Sequence, residues 1–132
     1  MLYNALIRTH HITSRKKVSA LKRAADKHKC FVLLRSGGCP GIMYVEGQEK
    51  TNVESWVGVV KALKYKDFQL VTRPEPLEVD EGGGNATPSD HKEAKRAVGV
   101  EEVDSVKDFG RLMSNWGLWR WWRRGMGYER VD

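Results

Sequence analysis

Histidine, cysteine, carboxylate and arginine are the side chains through which this chain could act, and their spacing decides which chemistry is open. His10 and His11 are adjacent, with His28 and Cys30 further along, and imidazole with thiolate suits zinc or copper. Neighbours on an extended segment point to opposite faces, so His10 and His11 do not share an ion and no metal site is expected. Gly37-Gly38-Cys39-Pro40-Gly41 could form a nest of converging amides for phosphate. It lacks the Gly-Lys-Ser/Thr ending of a P-loop and leads into a strand, so a hairpin turn is the expected role. No Ser, His and Asp fall in a nucleophile-elbow context, and no two carboxylates share an apolar setting that would separate their pKa values. Glu46, the one carboxylate inside a strand pattern, is expected to pair with Arg8 or Arg35 across a sheet. The expectation is a chain that is not an enzyme and holds no cofactor; a small phosphate-handling enzyme is the least supported class.

Charge and aromatic residues say more. Of the 132 residues, 1–73 hold 14 Lys/Arg against 5 Asp/Glu, and the remainder 9 against 12. A basic first half followed by an acidic connector suits a polyanionic partner, although such an imbalance also serves solubility. Residues 116–124 carry four of the five tryptophans beside three arginines. Aromatics interleaved with arginine can stack bases, or they can dock a tail helix on a sheet. If that segment is helical, Leu118, Trp119 and Trp122 share a face, which favours docking. Two cysteines are too few for a disulfide framework and point to a reducing compartment. The N-terminal apolar run is too short for a signal peptide and no stretch suits a membrane span, so an intracellular protein, nuclear or cytoplasmic, is expected.

The elements that must position these residues follow from hydrophobic periodicity. Residues 2–12 alternate, with Tyr3, Ala5 and Ile7 on one face and Leu6, Arg8 and His10 on the other. Thr13 or Ser14 caps a helix whose Val18, Leu21 and Ala25 form one apolar stripe. Residues 30–35 form a second strand and 42–45 a third, stopped at Gly47; Thr51-Asn52-Val53-Glu54 reads as a capping box opening a helix over 52–64. Residues 67–73 form a fourth strand. The order βαββαβ predicts an α/β, ferredoxin-like fold: a four-stranded antiparallel sheet with strands one and three central and both helices on one face. Residues 1–73 form this domain, 74–86 an acidic, Gly-rich, flexible linker, and 87–132 a helical Trp-rich extension. Within the extension, a helix runs to about Ala97 and closes at Gly99, and Ser105 caps a second.

Thr9-His10-His11-Ile12 before a basic helix, then Cys39-Pro40-Gly41-Ile42-Met43-Tyr44-Val45-Glu46-Gly47 and a helix with Trp56-Val57 before Lys61-Ala62-Leu63-Lys64-Tyr65, form a pattern over about residues 3–73. It resembles a C-terminal domain found in two settings: RWD-domain-containing proteins, and a pre-mRNA-processing factor of the spliceosomal tri-snRNP. The resemblance implies a ferredoxin-like fold and, for the spliceosomal branch, binding to small nuclear RNA.

The expected function is therefore a non-catalytic nucleic-acid-binding module, with RNA as the partner. The candidate contacts are Arg8 and His10 on the first strand, Arg15, Lys16 and Lys17 at the first helix start, Lys22 and Arg23 on its exposed side, and Arg35 and Arg73 near strand ends. Tyr44, if the helix-free face is open, could stack a base. The rival is a protein-interaction module in which the Trp-rich tail covers the sheet.

Overall fold

The computed structural model describes residues 1–80 and 96–128. Its elements are β1 (Tyr3–Thr9), α1 (Arg15–His28), β2 (Phe31–Arg35), β3 (Gly41–Gly47), α2 (Lys50–Ala62), β4 (Gln69–Pro76), β5 (Gly99–Val103), α3 (Val106–Asn115) and α4 (Trp119–Met126). The βαββαβ order of the first six is the one expected, with β1 and β3 in the middle of the strand order β4-β1-β3-β2-β5. The sheet, however, has five strands where four were expected, and it is not wholly antiparallel. β5 lies parallel to β2, pairing Phe31 with Gly99 and Arg35 with Val103.

Gly99, read from the sequence as a helix stop, instead opens this strand, and Arg96 and Ala97 are not helical. The rest of the helix expected over 87–97, and linker residues 81–86, lie outside the described residues. Of the remaining linker, Leu77 N–H donates to Leu2 O at 2.8 Å and Asp80 N–H to Gly117 O at 2.7 Å.

Local signals set the starts of two helices. Ser14 Oγ accepts from Lys17 N–H at 3.2 Å at the head of α1, and Ser105 Oγ accepts from Asp108 N–H at 3.0 Å at the head of α3. The capping box at Thr51 does not form. α2 begins two residues earlier than expected, and Glu49 at its N-cap makes no side-chain cap bond. Pro74 and Pro76 fall within β4, which tolerates them because it is an edge strand.

Strand alternation sends apolar side chains to both faces of the sheet. Under α1 and α2 lie Ala5, Ile7, Val32, Leu34, Met43 and Val45, closed by Trp56, whose Nε1–H donates to Leu21 O at 3.2 Å. On the opposite face Leu6, Leu33, Ile42 and Tyr44 meet Phe109 and Met113 of α3 and Leu118, Trp122 and Met126 at α4. The tail thus covers the face that four strands and two helices would leave bare, making three layers: helices, sheet, helices.

Docking uses Leu118 and Trp122, as the shared helix face predicts, but not a buried Trp119. Trp119 is 39% exposed and Trp122 3%, although both rings approach α3 at Gly110. Glu46 also departs from expectation. It is buried and pairs with Arg96 at 2.7 Å, not with Arg8 or Arg35. Tyr44 Oη donates to the same Glu46 oxygen at 2.6 Å, and Asn4 Nδ2 donates to Tyr44 Oη at 3.3 Å. The Arg96 guanidinium lies 4.1 Å from the Trp116 ring centroid, so the segment entering β5 is pinned to the sheet by charge and by stacking. Among the described residues no helix is long and apolar enough to cross a membrane.

Candidate nucleic-acid interface

The apolar stripe of α1 packs Val18, Leu21, Ala24 and Ala25 into the sheet, and its geometry leaves the opposite side to water. Lys16, Arg23 and Lys27, at i, i+7 and i+11, line up there, all exposed. With a rise of 1.5 Å per residue they span about 16 Å, a length that several consecutive phosphates of a nucleic acid match. None of the three forms an ion pair among the described residues. Asp26 is the helix's one carboxylate. Lys22 flanks the row, close enough to Glu102 to favour that group's ionised form.

Most of the other expected contacts are spoken for. Arg15 makes a bidentate pair with Glu102, at 3.0 and 2.7 Å, and Ser36 Oγ donates to the same carboxylate at 2.9 Å. The Arg15 hydrogen bond, partly opposed by burial, holds the Glu102 carboxyl below its ordinary range and raises the Arg15 pKa in turn. Lys17 lies 4.8 Å above the Tyr65 ring, on the α2 side of the helix. Arg35 clamps the hairpin turn, donating to Asp104 O at 3.2 Å and Pro40 O at 3.0 Å. Arg8 donates to Gln69 Oε1 at 2.6 Å and reaches the Met126 carbonyl at 3.5 Å. Arg73 is exposed on β4, at the far edge of the sheet from β5.

Tyr44 cannot stack a base. It has no exposed surface, its ring packs against Trp116 and Trp121, and burial followed by the neighbouring Glu46 charge raises its pKa well above the ordinary phenol value. The open face on which that role was conditional is not present, because the docked tail covers it with residues that arrive more than sixty positions later in the chain.

His10 lies apart from the basic row, at the end of the sheet. Its Nδ1 is 3.6 Å from Asp67 Oδ2 and its Nε2 is 3.7 Å from Cys39 Sγ. The ring of His11 is tilted against it, centroids 4.8 Å apart. With a carboxylate on one ring nitrogen and a thiol on the other, the three groups do not converge on one ion, and no group of three or more potential ligands with metal geometry occurs among the described residues. The hairpin turn 36–40 connects β2 to β3 as expected, with Arg35 opposite Ile42.

The structure therefore gathers Lys16, Arg23 and Lys22 from the expected set and adds Lys27, whose i, i+11 relation to Lys16 was the available signal. Compared with known proteins, the chain matches no family model and no curated relative.

Proposed function

We propose that the chain is a non-catalytic RNA-binding module that contacts the phosphate backbone through the exposed side of α1 and not through its sheet. The observation that supports it is the row of Lys16, Arg23 and Lys27, three exposed cations on one rigid helix face with no ion pair among the described residues. Contacts of this kind position a polyanion without reading its bases, because every phosphate offers the same acceptor. In the same reading, residues 3–76 are a ferredoxin-like domain of the kind shared by RWD-domain-containing proteins and the spliceosomal pre-mRNA-processing factor, with β5 added at one edge. The strand order β4-β1-β3-β2 and the placement of Cys39–Gly47 as turn and central strand support that assignment.

A protein-interaction module is the second reading, and the closed sheet favours it. With the face sealed by Trp122 and Leu118, the exposed aromatic surface is Trp119 and Tyr128, both bridged by Arg123, a combination common at protein-binding hot spots. Filter binding of single-stranded and duplex RNA at two salt concentrations separates the two. Replacing Lys16, Arg23 and Lys27 together by Gln should weaken binding almost independently of RNA sequence and flatten the salt slope by roughly 0.7 per lost contact, about 2 in all, for single strands. A wild-type chain that binds no RNA at low salt, or a triple variant with an unchanged slope, rules out this surface and leaves protein interaction as the function.

A further inference from the structure

His10 is held by its backbone on both sides. Its N–H donates to Lys66 O at 2.9 Å, which fixes the loop before β4, and its carbonyl accepts from Gly41 N–H at 3.2 Å, which fixes the end of the hairpin turn. The first bond places Asp67, itself in the left-handed region at φ 56°, beside one ring nitrogen. The second places Cys39 beside the other. Three segments distant in sequence are thus brought into a carboxylate–imidazole–thiol line, with the thiol exposed at an open pocket that Arg8, Gln69 and Tyr128 also line.

From this geometry we propose that Cys39 is a nucleophilic thiol assisted by His10, with Asp67 as the positioning residue, and that it undergoes reversible exchange with small anionic disulfides. Asp67 facing Nδ1 favours the tautomer that carries its proton there, leaving Nε2 free to accept the thiol proton. The thiolate sulfur then attacks one sulfur of the disulfide. The substrate S–S bond breaks as the Cys39 S–S bond forms, and the departing half leaves with the electron pair and takes the proton back from the His10 imidazolium. The disulfide is the oxidant; the products are one mixed disulfide on Cys39 and one free thiol. The reaction modifies this chain stoichiometrically and needs no turnover.

Arg8 sets the substrate class. Its partners among the described residues, the Gln69 amide oxygen and the Met126 carbonyl, are uncharged, so no described carboxylate pairs with its positive charge at the pocket. Asp67 is the carboxylate among the lining residues and lies against His10. Among the described residues the charged and titratable groups around the thiol are Arg8, His10 and His11 from the β1 end, Lys66 and Asp67 from the loop, Arg35 from behind the turn, and Tyr128 from the tail. The second cysteine serves as an internal control. Cys30 is buried, its thiol faces His28 O and Asn52 O at 3.5 Å, and burial, with a smaller contribution from Glu46, pushes its pKa up to about 12.

The test is the rate of reaction of the folded full chain with dithiobis(nitrobenzoate), an anionic disulfide, and with cystamine, a cationic one, from pH 5.5 to 8.5, the adduct being located by mass spectrometry. One adduct on Cys39 is expected, at pH 6 forming at least about tenfold faster than on the same chain unfolded in guanidinium chloride, where the thiol has no base. His10→Gln should remove that advantage and return the pH profile to that of the unfolded chain. Asp67→Asn should shift the profile, and Arg8→Gln should shrink the preference for the anionic over the cationic reagent. Equal rates and profiles for wild type, His10→Gln and unfolded chain would overturn the relay. A wild-type reagent preference unchanged in Arg8→Gln would overturn the anionic substrate class.

Discussion

Replacing Trp122 by Ala should loosen the tail from the sheet, and the size of the loss follows from where the ring lies. Trp122 is 3% exposed, with Phe109, Trp119 and Tyr128 ring centroids 5.5 to 5.9 Å away. Burying a tryptophan removes roughly 200 Å² from water, which at about 25 cal/mol per Å² stabilises by roughly 5 kcal/mol before the methyl that Ala retains is deducted. Among the described residues the buried Nε1–H of Trp122 finds no hydrogen-bond partner, and deleting an unsatisfied donor returns about 1–3 kcal/mol. A net loss of about 3 kcal/mol is the expectation, or roughly 10–15 °C in Tm for a chain of this size. Trp122→Phe, which keeps most of the area and removes the donor, should cost less than about 1.5 kcal/mol. Trp119→Ala, at a half-exposed ring, should cost roughly 1 kcal/mol. Thermal unfolding followed by circular dichroism gives all three values. Equal losses for Trp119→Ala and Trp122→Ala, or an unchanged Tm for Trp122→Ala, would refute the account of the closed face.

Two helix glycines should respond oppositely to alanine. A Cβ at Gly58 meets nothing within 4 Å, so Gly58→Ala should stabilise α2 by roughly 0.5–1 kcal/mol; a Cβ at Gly110 would lie 2.8 Å from the Trp122 ring and 3.0 Å from that of Trp119, so Gly110→Ala should destabilise despite the same helix preference, and denaturant midpoints compare them. The Arg15–Glu102 pair predicts a pH effect of defined sign. Because the folded Glu102 pKa is lowered, its contribution is complete above the ordinary carboxylate range and is lost as pH falls through the lowered value; Arg15→Gln should therefore be less stable than wild type at neutral pH and converge with it in acid, by a small margin that salt reduces further, since Arg15 is solvent-exposed. Curves that run parallel down to pH 2 would show that the pair contributes nothing.

What the sequence determined by itself about this protein is local. The alternation of Tyr3, Ala5 and Ile7 against Leu6 and Arg8 places each side chain on its face because strand geometry has period two, whatever the partners are. The same holds for the Ser14 and Ser105 caps, where side chain and amide lie three residues apart, and for the stripe of α1. Lys16 and Arg23 of the basic row were read from the sequence, and the same helical period puts Lys27, which that reading left out, beside them.

The remaining features required the chain to return on itself. Val-Glu-Glu-Val at 100–103 has only weak alternation, and it is a strand because the β2 edge offers unpaired backbone groups for a parallel partner. Its arrival moves Arg15 from a free cation to the partner of Glu102, and Arg96 just before it takes Glu46 from Arg8 and Arg35. The tail decides the fate of Tyr44 in the same way. Nothing in the residues around Tyr44 distinguishes an open aromatic from a buried one, because the covering surface is supplied by Trp116 and Trp121. His10, Cys39 and Asp67 are separated by 29 and 28 positions, so no motif spacing announces them. The backbone bonds of His10 to Lys66 and Gly41, formed only when β1, β3 and the loop before β4 assemble, bring them within 4 Å.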